Sequence, residues 1–445
     1  MQRRTFLLGG AAAGGFAGLK ALGQSSAHVT VGGSETSADV LVCGGGPAGI
    51  AAASVAARQG VKVLLIERYG RLGGMAVQGL VGPLMGSCDS PFLRETLKRI
   101  GGHHFDPNRL DLQYADIVQS SGAALLLHAW AAEPLLDGGR VTGVRALTKQ
   151  GMLRISAKVT VDATGDGDVA FAAGAPFEQG RPGDKRTQPV SIMFLIGGFD
   201  ASKKPLTCGS EEEARVVRVP EGTWEEVVTR GQKSGELPPS IGVIRIYASK
   251  FPVYRVVNAT QMNDIDGTDP HDLTRAELEC RRQAYQVVDF IKKHAPGYEA
   301  VHVVQMPGVV GVRETRRFLG EAYLRREDLV SGRRWPDAVV RGAFFPIDIH
   351  NPAGSGQAEG TAGQGLAARV KPYDIPYGCL VPKSTDGLLL AGRCISGSHE
   401  AHASYRVMCI AIGVGAAAGA AATLAAKSDL QPRRIDVKNL QRLLA

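Results

Sequence analysis

Apolar residues fall in short blocks along this 445-residue chain, separated by glycine-rich breaks. Residues 39–43 (DVLVC) read as a buried strand, 50–59 as an alanine-rich helix and 62–66 as a second buried strand. Continuous apolar runs of this length, bounded by glycine, suit strands covered on both faces. A helical pattern over 109–122, a strand at 123–129, a hairpin turning at 137–140 and a strand at 159–163 extend the βαβ start. The patterning changes over 190–345, where strands of mixed polarity surround one helix. Thr274 and Glu277 are spaced as a capping box at its start, and Pro296 and Gly297 end it.

The first pattern returns with an apolar strand at 387–391 and a helix running to about residue 426. Residues 407–426 carry no charge and are long enough to cross a bilayer. Alanine and glycine dominate them, however, and Gly415 and Gly419 suit close backbone packing, so a buried helix is expected and no stable membrane span. The expected organisation is a signal at 1–27, a linker at 28–37, a nucleotide-binding part at 38–189, an inserted domain at 190–345, the returning nucleotide-binding part at 346–427, and a C-terminal tail at 428–445.

Charge and cysteine content narrow the function. Lysine and arginine number 51 against 43 acids, a formal net charge of +8. The arginines are scattered, which argues for a solvated surface and against nucleic-acid binding. The seven cysteines include no C-x-x-C pair, so neither a zinc ribbon nor the usual iron–sulfur spacing is present. Arg3 and Arg4 precede a weakly hydrophobic Gly/Ala stretch, the pattern of a twin-arginine export signal. It implies the export machinery as a partner and a site of action outside the inner membrane.

The turn Gly44-Gly45-Gly46-Pro47-Ala48-Gly49 satisfies G-x-G-x-x-G between a strand and a helix. Gly44 permits the turn, Gly46 lets backbone approach a pyrophosphate, and Gly49 lets the helix pack closely on the strand. Glu67 ends the next strand, where it suits the two hydroxyls of an unphosphorylated adenosine ribose. Arg68 and a second glycine pair, Gly73 and Gly74, follow with Met75; Thr164, Gly165 and Asp166 end a later strand, and Gly392 and Arg393 end the last. One extended FAD touches all four segments, which a nicotinamide dinucleotide usually does not.

The stretch 38–67 resembles the adenine-dinucleotide motif of flavoproteins in the glutathione-reductase superfamily. The strings FDP at 105, DATGDGDVA at 162, GVRETRRFLGE at 311, PIDIH at 346, YDIPYGCLVPK at 373 and AGRCISGSHEA at 391 resemble the FAD-dependent oxidoreductases grouped with the flavoprotein component of heterodisulfide reductase. The resemblance implies an α/β protein: a Rossmann-like FAD-binding domain with a three-layer parallel sheet, carrying an inserted mixed α+β substrate domain. It also implies redox chemistry. Relatives in that grouping carry iron–sulfur clusters, but the cysteine runs for them are missing here.

Hydride transfer to flavin from an alcohol or amine carbon needs a proton acceptor, and histidine is poised near neutrality. His399, in SHEAH beside the last cofactor segment, is the first candidate. His350 is the second, with Asp348 two residues back to orient it. H-E-x-H is one residue short of the zinc motif, so no metal is expected. Arg313, Arg316 and Arg317 suggest a clamp on a substrate carboxylate or polyol, and Arg406 can hold substrate or neutralise charge. The reading is oxidation of a small polar substrate with an undefined electron acceptor. Alternatives are a flavin electron-transfer component of a redox complex and a fumarate-type reductase.

Overall fold

The computed structural model describes residues 33–357 and 369–445. The arginine-led stretch 1–27 lies outside the described residues. The first strand, β1 (Glu35–Cys43), helix α1 (Pro47–Arg58) and strand β2 (Val63–Glu67) form the βαβ unit. β1 starts inside the expected linker because Glu35, Thr36 and Ser37 find backbone partners in Arg154, Ile155 and Ser156 of the long strand Gly151–Asp162.

The main sheet has seven strands. β1 lies between β2 and Gly151–Asp162, Ala124–Leu127 pairs beyond β2, and Leu388–Leu390 pairs with the end of Gly151–Asp162, all in parallel. The other half of Gly151–Asp162 pairs antiparallel with Arg140–Thr148, which continues through the 138–139 turn to Trp130–Asp137. The chain is therefore α/β, with the parallel strands ending together at the glycine turns, where open α/β sheets bind ligands.

The apolar C-terminal helix is Met408–Ser428, with a mean hydropathy of 1.9 over a window that is 89% buried inside the protein. It packs on α1. A Cβ added at Gly415 would lie 2.0 Å from the Ala48 carbonyl oxygen, and one at Gly419 would lie 2.2 Å from that of Ala52. The expected single helix is broken: His399–Tyr405 ends at Arg406, Val407 is extended, and Met408–Ser428 starts afresh. The expected tail is ordered against this core through the helix Val437–Leu444, whose Leu440 is fully buried, and through Tyr377, whose hydroxyl donates to Pro432 O at 2.8 Å.

A second core runs from Val190 to Val310. Its antiparallel sheet has the order Arg245–Ala248, Tyr254–Asn258, Met193–Gly197, His302–Gln305. The inserted domain thus ends earlier than the expected residue 345. Phe318, Leu324, Leu329 and the strand Ala338–Phe344 bury their apolar groups in the first core instead. The long helix Pro270–His294 begins one turn before the expected capping box. Asp269 caps it by accepting from His271 N and Asp272 N, while Thr274 Oγ1 donates back to Pro270 O and Glu277 pairs with Arg281.

Candidate active site

The four glycine-bearing segments meet at one end of the parallel sheet. Gly73 N donates to Gly45 O at 2.8 Å, and a Cβ on Gly74 would lie 3.1 Å from Gly46 Cα. A Cβ on Gly44 would strike Ala163 O at 2.4 Å and crowd Thr164; one on Gly49 would strike Gly44 O at 1.8 Å; one on Gly392 would lie 3.3 Å from Ala48 Cβ. Gly44, Gly73, Gly74, Gly165 and Gly392 all have positive φ, so the close approach and the backbone conformation both require glycine. Pro47 opens α1 and no side chain caps its N-terminus, leaving the positive end of the helix to face a phosphate.

Glu67 is buried. Its Oε2 accepts from Gly45 N at 2.6 Å and its Oε1 from Tyr69 N at 2.9 Å. Burial raises its pKa, against the opposing pull of those two N–H groups. A slot of about 30 Å³ opens beside it, between Gly44, Arg68, Trp130 and Thr164. Arg68 stacks over Tyr69 and Trp130, 4.7 and 5.3 Å from the ring centres. Thr164 is pinned to Asp162 Oδ1 through its N–H and hydroxyl, and Asp166 is paired with Arg393.

Three buried polar groups around the Gly392–Arg393 segment have no protein partner among the described residues: Arg393 Nε, Arg406 Nε and both ring nitrogens of His402. Burial, followed by the charges of Arg317, Arg406 and Arg393, drives the His402 pKa well down. Unpartnered buried donors and acceptors beside a glycine cradle fit a bound polar ring system, because leaving them unsatisfied is expensive. The residues present therefore fit FAD: Glu67 would hold the adenosine ribose, Gly46–Gly49 and Gly73–Met75 would take the pyrophosphate, and Arg393 would lie near the remainder.

A cavity of about 330 Å³ lies between the two cores. Met75 and Arg393 line it from the cofactor segments, and Arg313, Asp348, His350 and Arg406 line it together. Arg406 Nη2 donates to Asp348 O at 3.0 Å and to Asp348 Oδ2 at 3.2 Å. His350 Nε2 stands 3.8 Å from the same Oδ2. Burial alone would raise the Asp348 carboxyl, but the guanidinium charges of Arg406 and Arg313 outweigh it and hold it below its ordinary value. Burial and then the Arg313 charge push His350 well below its ordinary value, so its imidazole is neutral at pH 7.

Two expectations are corrected here. His399 does not line this cavity: its Nδ1 lies 2.8 Å from Glu314 Oε1, inside a sealed network that Arg317 completes. A carboxylate as buried as Glu314 needs cationic and hydrogen-bonding partners, and the ring serves as one. The three-arginine clamp reduces to Arg313, whose Nη1 also donates to Pro189 O at 2.8 Å. Arg316 reaches Asp168 and stacks on Phe171, and Arg317 donates to Gly180 O and Gly397 O. The sequence reading also missed Arg245, Met193, Tyr247 and Asn258 on the cavity wall. They alternate along strands of the second sheet, and no motif marks them.

Over 151 residues the chain is 34% identical to thiamine thiazole synthase of Methanococcus aeolicus, covering 30% of this chain and 57% of that protein. Over 158 residues it is 27% identical to digeranylgeranylglycerophospholipid reductase of Picrophilus torridus, covering 29% of this chain and 40% of that protein. The chain thus matches less than two thirds of the length of either. Among solved structures it resembles a geranylgeranyl bacteriochlorophyll reductase-like protein of Thermoplasma acidophilum, at 16% identity and a TM-score of 0.46, covering 92% of this chain and 82% of that one. The model of one family matches residues 39–444, nearly all of the described chain, and the protein is by that match an enzyme of the FAD dependent oxidoreductase family with FAD as its cofactor.

Proposed function

We propose that the enzyme oxidises a small polar substrate bearing a carboxylate, such as a 2-hydroxy or 2-amino acid. The observation that carries this reading is the grouping of Arg313, Arg406, Asp348 and neutral His350 on one cavity that also touches Met75 and Arg393. Bound FAD supplies the two-electron acceptor that takes hydride from the substrate carbon, and oxygen or a carrier regenerates it.

The chain's own residues do the rest. Arg313 and Arg406 hold the carboxylate, since guanidinium groups stay charged when buried and offer several donors. The substrate's hydroxyl or amine proton passes to a ring nitrogen of His350, and the carbon becomes a carbonyl or imine. Asp348 keeps Arg406 in place and stabilises the imidazolium as it forms. The cavity wall of Met75, Met85, Met193 and Met408 keeps water from the reacting carbon.

The test is anaerobic mixing of the FAD-loaded enzyme with a panel of 2-hydroxy and 2-amino acids and their amides, following loss of flavin absorbance. Reduction by an acid and not by its amide is the expected result. Reduction by amides as fast as by acids would overturn the carboxylate assignment. We further propose that residues 1–27 send the folded holoprotein out of the cytoplasm. The support is the Arg3–Arg4 pair and the weakly hydrophobic stretch after it. Changing both arginines to lysine is expected to retain the precursor inside the cell, and normal export of that variant would remove the reading.

A further inference from the structure

The second sheet has two faces with different tasks. Phe194, Ile196, Ile246 and Val257 point into the second core and are fully buried. The alternate residues point the other way, over the space between the cores. Strand register sorts them into rows. Arg245 pairs with Asn258 and Asn258 with Met193, so these three form one row; Tyr247 pairs with Val256 and Val256 with Leu195, forming the next. Successive rows lie about 7 Å apart.

The first row is part of the wall of the arginine-lined cavity. The second row leads away from it: Val256 and Leu195 line a separate cavity of about 130 Å³, and Tyr247 lines both. Leu80 and Phe105 line the same second cavity, together with the polar His104, Asp106 and Lys250, while Val81, next to Leu80, lines the first. The floor thus changes from charged and amide-bearing to aliphatic and aromatic within one row, with Tyr247 at the step. Aliphatic and aromatic groups on a sheet face that serves no protein core are a surface for an apolar ligand group.

We infer that the two cavities form one elongated site and that its ligand is an amphiphilic monocarboxylate. The carboxylate sits at Arg313 and Arg406, and an apolar body passes Tyr247 to lie on Leu195 and Val256. This inference rests on the carboxylate reading proposed above and extends it to the rest of the molecule. A short, wholly polar acid fills only the first row.

Binding of inert acids to the FAD-loaded enzyme tests it without requiring turnover, read as perturbation of the flavin spectrum and by calorimetry. The probes are butanoate, octanoate and octanamide. Each buried methylene is expected to tighten binding about fourfold, so octanoate should bind at least ~10-fold more tightly than butanoate even if only part of the chain is buried. Leu195→Gln should remove most of that gain. Val304→Asp, at a half-exposed position on the second cavity where folding is not at risk, should do the same. Equal affinity for butanoate and octanoate overturns the apolar extension and leaves the carboxylate reading standing. Octanamide binding as tightly as octanoate overturns the carboxylate reading and leaves the apolar floor. Failure of all three probes to bind overturns both.

Discussion

Arg406 and Asp348 are joined at the break between two helices: the guanidinium leaves the last turn of His399–Tyr405 and donates to both the backbone oxygen and the carboxylate of Asp348. The extended Val407 that follows turns the chain into Met408–Ser428, so Arg406 reaches the cavity because the helix stops there. Arg406→Gln removes a charge-assisted contact worth about 1.5–3 kcal/mol, a loss of roughly 10- to 100-fold in kcat/KM for a carboxylate substrate. Steady-state rates with an artificial acceptor check this. A variant retaining wild-type kcat/KM would take Arg406 out of substrate binding.

With His350 as the proton acceptor proposed above, the acid side of the rate profile is expected to follow its titration. It faces Arg313, Arg245 and Arg406, which lower its pKa together with burial, and Asp348, which raises it. The folded value lies below 6.5, so the ring stays a free base as pH falls through 6.5, and kcat/KM should fall only below that point. Asp348→Asn removes the one neighbour that favours the imidazolium, which should move the acid limb to still lower pH. The same shift weakens the fold in acid, because below about 6.5 the unfolded chain takes up a proton that folded His350 refuses. A pH–rate profile with an acid limb above 6.5 would contradict this assignment.

His399→Ala acts on a different quantity. The ring bonds a carboxylate that is almost wholly buried, so its loss should cost about 1–3 kcal/mol of stability. The rate of flavin reduction per FAD-loaded molecule should stay within about threefold, less than 1 kcal/mol in the barrier. Thermal unfolding beside stopped-flow reduction separates the two effects. A large fall in rate with unchanged stability would return His399 to the chemistry.

Glu67→Ala leaves the buried N–H groups of Gly45 and Tyr69 without their acceptor and removes the carboxylate that would hold the ribose. FAD occupancy of the purified variant, from the ratio of flavin to protein absorbance, should fall at least ~10-fold on dilution, the effect of about 1.4 kcal/mol. Full occupancy would place the ribose elsewhere.

Local chemistry made the α/β frame legible in the sequence. The glycine turn, the apolar strands around it and the returning strand at 387–391 each announce themselves within a few residues. The pocket was legible only in part. Arg313, His350 and Arg406 come from three separate segments, and sequence distance hides which of them share a cavity. His399 stood next to a cofactor segment in sequence, yet its ring is held by a hydrogen bond to buried Glu314. The floor residues of the second sheet were invisible because an alternating strand shows that it has two faces, but not which one meets a neighbouring domain. The expected capping box failed for a related reason: Asp269, one turn earlier, already satisfied the helix N-terminus.

Gly415→Ala is a test at a distance from the cavity. Its Cβ would lie 2.0 Å from Ala48 O, so α1 and Met408–Ser428 must separate. Overpacking of this kind typically costs about 1–3 kcal/mol. Both the unfolding temperature and FAD retention should drop, because Ala48 belongs to the glycine turn that would take the pyrophosphate. A drop in unfolding temperature with normal FAD affinity would show that the turn tolerates the displacement.

That contact between Gly415 and Ala48 also ties an early segment of the described chain to a late one. The glycine turn is among the first parts of the folded region to be made, but the helix behind it and the strand Leu388–Leu390 beside its sheet are among the last. A chain ending before them leaves the face of α1 that carries Ala48 and Ala52 without the helix that covers it. The nucleotide-binding part of the fold is therefore closed by segments from the far end of the described chain rather than by its own neighbours in sequence.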